Sequence, residues 1–215
     1  PWDLMKNIQL VSEHLEEKKY PKSIRYFDIP FQHGDSGVLS RMGRVGDKES
    51  YLGLIAKIRG VFPQATIRST FMLGFTNEDE QTFQTLLDFI QEAQLDYAGT
   101  FIFSVEEGTP AFDDSDQKSY EKRIKMAQGF KKSVENLCES ITISRLQQYV
   151  GSEMDILIEE LVENEDLAIG RTLYQAPEVD GLTVVMGRNL VAGSIVRCGI
   201  TKVNGVDLEA VVIEQ

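Results

Sequence analysis

The sequence has few cysteines, no long apolar run and a shortage of positive charge. Only two of its 215 residues are cysteines, Cys138 and Cys198, and they lie far apart along the chain. Their spacing matches no metal-ligand motif, and an iron–sulfur cluster needs three or four thiolates close together. We therefore expect no metal site within this chain and two reduced thiols.

The absence of a long apolar segment predicts that the chain does not span a membrane. The sequence opens with Pro1-Trp2-Asp3 and has no basic-then-apolar segment, so it does not begin with a signal peptide. We expect a cytoplasmic, monomeric protein whose first residue is an internal position of a longer chain.

Positive charge is scarce, and most of the excess acid lies near the C-terminus. The chain carries 22 Lys and Arg against 34 Asp and Glu, a net charge of −12. From residue 146 onward there are twelve acidic and four basic residues, and Tyr174 is the only aromatic residue after Gly151. Binding to a phosphate backbone depends on Lys and Arg. The C-terminal part is therefore a poor candidate for binding nucleic acid.

Helical and strand-like patterns alternate through the first 145 residues. Strands are predicted at 26–31, 67–73 and 97–105, and helices near 4–15, 38–42, 51–60, 80–90 and 119–148. Asn77 is predicted to cap the fourth of these helices, with Glu80 completing a capping box. Alternation of this kind indicates a parallel α/β sheet. Three strands are too few for a complete barrel, so we expect the C-terminal part of one.

The pattern changes after Gly151 to five short alternating runs, at 154–161, 168–172, 182–186, 194–203 and 208–213. Asn204-Gly205 is typical of a hairpin turn. Five short strands in about 65 residues predict a small antiparallel barrel of the oligonucleotide-binding type. We place the domain boundary between residues 145 and 146.

The strand ends of the first domain carry the candidate site residues, because parallel α/β folds bind ligands at the carboxyl ends of strands. Gln32 and His33 follow the first strand. Arg68 and Thr70 share one face of the second strand, which Gly74 closes. Each residue also has a structural interpretation. His33 is typical of a hydrogen-bonded loop histidine, and Arg68 of an ion pair with a nearby acid.

Phe103 lies in the third strand, in the segment Phe101-Ile102-Phe103-Ser104. An aromatic strand edge with free backbone groups can hold a purine by stacking. Core packing is the alternative interpretation of the same residue.

Taken in order, these strand ends resemble the radical S-adenosylmethionine (SAM) methylthiotransferases. Residues 28–33, Asp-Ile-Pro-Phe-Gln-His, followed by Val38-Leu39 and Met42-Gly43-Arg44, are similar to the family's DIPxQH…VLxxMxR segment. Residues 67–75 resemble its IRTTFIVGF strand, and residues 104–111 its YSxExGTxA strand. Residues 168–172 and 176–181 resemble AIGRT and APEIDG in the family's C-terminal TRAM domain. Thr76-Asn77 replaces the family's Pro-Gly, which alters that loop.

The branch of the family is indicated by two positions. The tRNA-modifying relatives typically have Ser where this chain has His33, and Arg where it has Glu106. Both residues here resemble the ribosomal-protein-modifying, RimO-type branch, and an acidic barrel suits a basic protein partner.

The resemblance implies an enzyme that adds a methylthio group to the β-carbon of an aspartate in a small-subunit ribosomal protein. It implies S-adenosylmethionine and two 4Fe–4S clusters as cofactors of the complete protein, with the cluster ligands outside this chain. It further implies that Gln32, His33, Arg68 and Thr70 line the SAM side of the cavity, with Gly74 and Phe103 flanking the ribose and adenine. The fragment alone is expected to be inactive. Catalytic residues are not indicated.

Two other functions remain open. One is a tRNA adenosine methylthiotransferase, which binding to tRNA would reveal. The other is a non-enzymatic, acidic protein-binding module. A triple-cysteine loop encoded upstream favours an enzyme, and its absence favours the module.

Overall fold

The computed structural model describes residues 25–109 and 117–213. The helix predicted near residues 4–15 and the family-motif residue Ala111 lie outside the described residues. Among the described residues, no helix is long and apolar enough to cross a membrane.

The first part of the described chain is a three-stranded parallel sheet with helices between the strands. The sheet order is β1–β2–β3, formed by Tyr26–Asp28, Thr66–Leu73 and Tyr97–Ile102. The helices are α1 (Ser36–Arg41), α2 (Lys48–Val61), α3 (Glu80–Ala93) and α4 (Gln117–Gln147). The predicted α/β alternation is therefore confirmed. The first strand is shorter than predicted, because Pro30 has no amide hydrogen to donate to its neighbour.

Strand β2 separates a buried face from a half-buried face. Ile67, Ser69, Phe71 and Leu73 are buried and alternate with partly accessible residues. The Phe71 ring meets that of Phe89 in α3, with 6.0 Å between the ring centroids. The buried face of β2 is therefore the face that the helices cover.

The cap of α3 differs from the prediction. Asp79 is the N-cap, and its side chain accepts a hydrogen bond from the Thr82 amide in a reciprocal capping box. Asn77 instead has a left-handed backbone (φ 59°) in the preceding turn. Asp79 has the extended backbone that an N-cap requires, so the prediction of Asn77 was wrong by two residues.

The second part of the described chain is a closed barrel in the order β4-β5-β6-β8-β7. Its strands are Glu153–Leu161, Leu167–Thr172, Thr183–Met186, Ile195–Asn204 and Asp207–Val212. The small five-stranded barrel is confirmed, but a fully antiparallel arrangement was wrong, because β6 and β8 are parallel. A closed ring of five strands cannot alternate in direction at every junction, so one pair must be parallel.

The predicted hairpin turn at Asn204-Gly205 is present between β7 and β8. Asn204 pairs with Asp207, and Gly205 has φ 62° in the two-residue turn between them. Glycine adopts this backbone without steric cost, which favours the tight connection.

The chain divides into two compact units, between Cys138 and Glu139. That division falls within α4 and precedes the domain boundary predicted at residue 146, which stays a prediction.

Candidate functional site

An open cavity of about 540 Å³ lies at the carboxyl ends of the three parallel strands. Its walls come from the segments that follow β1 and β3, from the end of β2, and from α1 and the residues after it. The lining residues are Gln32, Arg41, Met42, Gly43, Arg44, Met72, Phe75, Phe101, Phe103, Ser104, Glu106 and Thr109. Of the six predicted site residues, Gln32 and Phe103 line this cavity.

Gln32 is held tightly at the cavity wall. Its amide donates to the Thr70 carbonyl and its carbonyl accepts from the Met72 amide, each at 2.9 Å. These bonds fix a left-handed backbone (φ 69°), which is uncommon for a residue with a side chain. Gln32 is only 9% exposed, and its Oε1 has no hydrogen-bond partner among the described residues. A buried polar atom of this kind is available to a ligand.

His33 is completely buried beside Gln32. Its Nδ1 accepts a hydrogen bond from the Asp35 amide at 2.9 Å, so a neutral ring carries its proton on Nε2. Burial lowers the pKa of His33 to about 4, Asp35 opposes this shift and Arg41 adds to it. His33 is therefore neutral near pH 7. This geometry matches the structural interpretation of His33, a hydrogen-bonded histidine in a loop.

Arg68 and Thr70 lie on the half-buried face of β2, opposite the helix-covered face. Arg68 Nη1 is 2.9 Å from Asp28 Oδ2 in the neighbouring strand β1. A Cβ added to Gly99 would lie 3.7 Å from both the Arg68 guanidinium and the Thr70 methyl group. Alternation along the strand thus placed the two side chains correctly on one face. The ion pair with an acid, which the sequence left open, is also present.

Gly74 approaches a helix rather than the cavity. A Cβ at this position would lie 3.1 Å from the side chains of Ile124 and Ala127 in α4, and the backbone has φ 84°. The close approach of α4 and the positive φ together explain why this position is a glycine. Its amide donates to Glu78 at 2.9 Å.

Glu78 is a buried residue of the site region that the sequence analysis did not select. Its Oε2 accepts from the amides of Gly74 and Phe75, which fixes the turn after β2. Phe75 in that turn packs edge-on against Phe103, with 4.8 Å between the ring centroids. Glu78 therefore holds one aromatic wall of the cavity in place. The burial of this carboxyl depends on the fold of the turn, so composition and periodicity gave no signal for it. The only signal was that Glu78 matches the Glu that follows Pro-Gly in the family's strand motif.

Burial raises the pKa of Glu78 from 4.5 to about 7. Because the folded-state value is raised, the stabilising contribution of Glu78 is complete below about pH 4.5 and is lost as pH rises through 7. We expect Glu78→Gln to be roughly neutral at pH 5 and to raise the free energy of unfolding by about 1–3 kcal/mol at pH 8. Urea denaturation at both pH values measures this. The exposed Glu107→Gln is the control, and an equal effect of Glu78→Gln at both pH values contradicts the expectation.

Two arginines of the cavity wall, Arg41 and Arg44, were not predicted as site residues. Arg44 appeared only as part of a family motif, and Arg41 was not considered. Arg41 Nε donates to the Thr76 carbonyl at 3.0 Å and Nη2 to the Asn77 carbonyl. Arg44 Nη1 donates to the Pro30 carbonyl at 3.2 Å. The Arg41 contacts attach α1 to the turn after β2, and the Arg44 contact attaches the residues after α1 to the residues just after β1.

The described residues contain no metal-binding cluster. No group of three or more His, Cys, Asp or Glu side chains among them is arranged to hold an ion. Cys138 and Cys198 are buried, unbridged and in separate units, and burial raises the pKa of the Cys138 thiol to about 12.

The barrel uses all four of its basic residues in ion pairs. Arg171 pairs with Glu159, Arg188 with Asp166, Arg197 with Asp155 and Lys202 with Glu209, at 3.2 to 3.5 Å. Tyr174 stacks on Tyr149 with 5.1 Å between the ring centroids, a pair that an aromatic count starting at Gly151 missed. Each ring covers one face of the other, which leaves less ring surface for stacking with a base.

The barrel belongs to a known class of domain, since residues 150–213 match the family model described as the TRAM domain. Longer stretches match proteins named ribosomal protein uS12 methylthiotransferase RimO. The relative from Mannheimia succiniciproducens is 42% identical over 190 residues, covering 87% of this chain and 41% of the relative. Those from Treponema denticola (36%) and Vibrio cholerae (40%) cover 87% of this chain and 44% and 39% of their own lengths.

The predicted relationship is confirmed: this chain is homologous to the C-terminal region of RimO-type methylthiotransferases. It spans about two fifths of the length of the curated relatives it matches. The activity, substrate and partners of those whole proteins therefore come to this chain only as proposals.

Proposed function

We propose that this chain is the C-terminal, cavity-forming and substrate-recognising part of a radical SAM methylthiotransferase that modifies ribosomal protein uS12. The observation that carries the proposal is the cavity at the carboxyl ends of the strands, with the buried Oε1 of Gln32 at its wall. The names of the relatives supply the reaction and the substrate protein. Modification of a ribosomal protein implies a cytoplasmic location.

The residues present fit S-adenosylmethionine. When bound, this cofactor would supply a methyl group and the means of removing a hydrogen atom from the substrate. Gln32 Oε1 would accept a hydrogen bond from the cofactor, and Phe75 and Phe103 offer aromatic surface for the adenine ring. His33, Arg68, Thr70 and Gly74 do not line the cavity. We propose that three of them support it: His33 orders the loop beside Gln32, and Arg68 and Thr70 form the sheet face below it. Gly74 packs against α4 instead.

The residues present do not fit an iron–sulfur cluster. Two buried thiols in separate units cannot supply the three or four thiolates that such a cluster needs. We therefore place the ligands of both 4Fe–4S clusters outside these 215 residues and derive no step through them.

The experiment joins this chain to the sequence encoded upstream of it. The expected finding upstream is a Cys-x-x-x-Cys-x-x-Cys loop, and the longer protein, reduced and supplied with SAM, should add the mass of one methylthio group to uS12. Modification of tRNA instead, or an upstream sequence without the cysteine loop, would overturn the proposal. Gln32→Ala should weaken SAM binding in isothermal titration, whereas Gln148→Ala should not.

We also propose that the acidic barrel recognises the basic substrate protein and does not bind tRNA. Because its four basic residues are already paired with acids, few cations are available to displace counterions from RNA. We expect the full chain to bind uS12 with an affinity that falls as salt rises, and to bind tRNA at least about tenfold more weakly.

Filter binding and fluorescence anisotropy at low and high salt measure both affinities. Glu159→Gln with Asp166→Asn releases Arg171 and Arg188 from their partners, and this double variant should gain affinity for tRNA. Tight, salt-sensitive tRNA binding by the unmodified chain, with no affinity for uS12, would favour the tRNA-modifying alternative.

A further inference from the structure

Arg44 has hydrogen-bonding capacity that its contacts do not use. One guanidinium nitrogen, Nη1, donates to the Pro30 carbonyl at 3.2 Å. This bond anchors the Arg44 side chain close to Gln32, because Pro30 precedes Gln32 by two residues. Among the described residues, no carboxylate forms an ion pair with Arg44. Arg59 and Arg68 on the same sheet-and-helix unit do have such partners. The remaining donors of Arg44 are therefore available at the cavity.

A guanidinium with free donors is suited to an oxyanion. Its paired N–H groups match the two oxygens of a carboxylate, and those of a phosphate equally well, and the proposed function offers carboxylates. Gln32 lines the same cavity, but its unpartnered atom is the acceptor Oε1, so it does not compete with Arg44 for a carboxylate. Arg41 adds positive charge to the same wall, but two of its nitrogens are occupied by the carbonyls of Thr76 and Asn77.

The charge of the cavity is unevenly distributed. Arg41 and Arg44 lie in the segment after β1, whereas Glu106 follows β3 at the other edge of the sheet. A carboxylate in the cavity is therefore attracted toward Arg44 and repelled by Glu106, which orients the ligand.

We propose that Arg44 is the carboxylate-binding, specificity-determining residue of this cavity. The inference rests on the proposed function, which offers two carboxylates: the aspartate side chain of the substrate protein and the methionine end of the cofactor. The position of Arg44 favours the substrate. Gln32 is 9% exposed and forms the deeper wall, whereas Arg44 is exposed and lies at the rim, where an incoming protein side chain arrives first.

The experiment measures two affinities for each variant of the full chain. One ligand is a Lys/Arg-rich peptide with a single aspartate, compared with the same peptide carrying asparagine, by fluorescence anisotropy. The other is SAM, by isothermal titration. The variants are Arg44→Gln and Arg44→Lys. Arg25→Gln is the matched control, because it removes the same charge before β1, away from the carboxyl ends of the strands. Thermal unfolding confirms that each variant is folded.

We expect the unmodified chain to prefer the aspartate peptide by roughly tenfold to a hundredfold, as a charge-assisted hydrogen bond predicts. Arg44→Gln should abolish this preference without changing SAM affinity, and Arg44→Lys should restore part of it. If SAM affinity falls instead and the peptide preference persists, Arg44 binds the carboxylate of the cofactor.

Two results overturn the inference. One is that Arg44→Gln changes neither affinity, and the other is that Arg25→Gln lowers both as much as Arg44→Gln does. A chain that binds neither the peptide nor SAM overturns the proposed function as well, and this outcome is distinct because it is seen before any substitution is made.

Discussion

Replacing Phe89 by alanine is expected to lower the free energy of unfolding of the sheet-and-helix unit by about 3–5 kcal/mol. Phe89 is completely buried in α3. Its ring centroid lies 5.4 Å from that of Phe31, 5.9 Å from Tyr51 and 6.0 Å from Phe71, so one side chain joins β2, α2 and the segment after β1. Removing it leaves a cavity that none of these elements can fill without moving.

The same substitution should also disturb the site. A Cβ added to Gly34 would lie 3.3 Å from Phe89 Cγ, so the backbone beside His33 packs against ring atoms that alanine lacks. Urea denaturation followed by circular dichroism measures the loss of stability. Phe101→Ala is the matched control, since Phe101 is 39% exposed and should cost less than about 1 kcal/mol. A similar cost for both variants would show that Phe89 is not central to the core.

The sequence predicted the existence of α3 but not the full width of its buried face. The spacing of Phe83, Leu86, Leu87 and Ile90 in the sequence predicts that they form one face of the helix. Phe83, Leu86 and Ile90 are buried. Leu87 on the same predicted face is half-buried, and Phe89 was missed. A helix packed against a sheet buries a broad stripe, so positions three and four residues apart all contribute. Deciding whether Leu87 or Phe89 is the more deeply buried requires knowing where the sheet lies relative to the helix.

The candidate site was predictable in part for a related reason. Gln32 and Phe103, which strand-end motifs indicated, line the cavity, because parallel strands bring their carboxyl ends together; their role in binding a ligand stays a prediction. Arg41 and Glu78 depend on contacts with loop backbone, and no periodic pattern encodes such contacts. The parallel pair in the barrel was missed although the count of five strands requires one.

In the barrel, Gly170→Ala is expected to lower the free energy of unfolding by about 2–4 kcal/mol. A Cβ at Gly170 would overlap the carbonyl oxygen of Leu157 in β4 and lie 3.0 Å from the Ile156 methyl group. Neither neighbour can yield easily, because Leu157 is paired with β7 as well as with β5. Relieving the overlap means separating β4 from β5, which combines the cost of overpacking with that of weakened ladder hydrogen bonds.

Gly199→Ala tests whether the close approach, and not the loss of glycine itself, causes this effect. Gly199 is also a strand glycine of the barrel, in β7, and nothing lies within 4 Å of a Cβ placed there. Alanine at this position should be neutral or stabilise by up to about 1 kcal/mol, because it reduces the entropy of the unfolded chain. Hydrogen exchange of the β4 amides separates unfolding of the barrel from that of the rest of the chain. In Gly170→Ala these amides should exchange faster, and in Gly199→Ala they should not. Equal protection of the β4 amides in the two variants would contradict the expectation, because it would mean that β4 and β5 accommodate the added methyl group without weakening their hydrogen bonds.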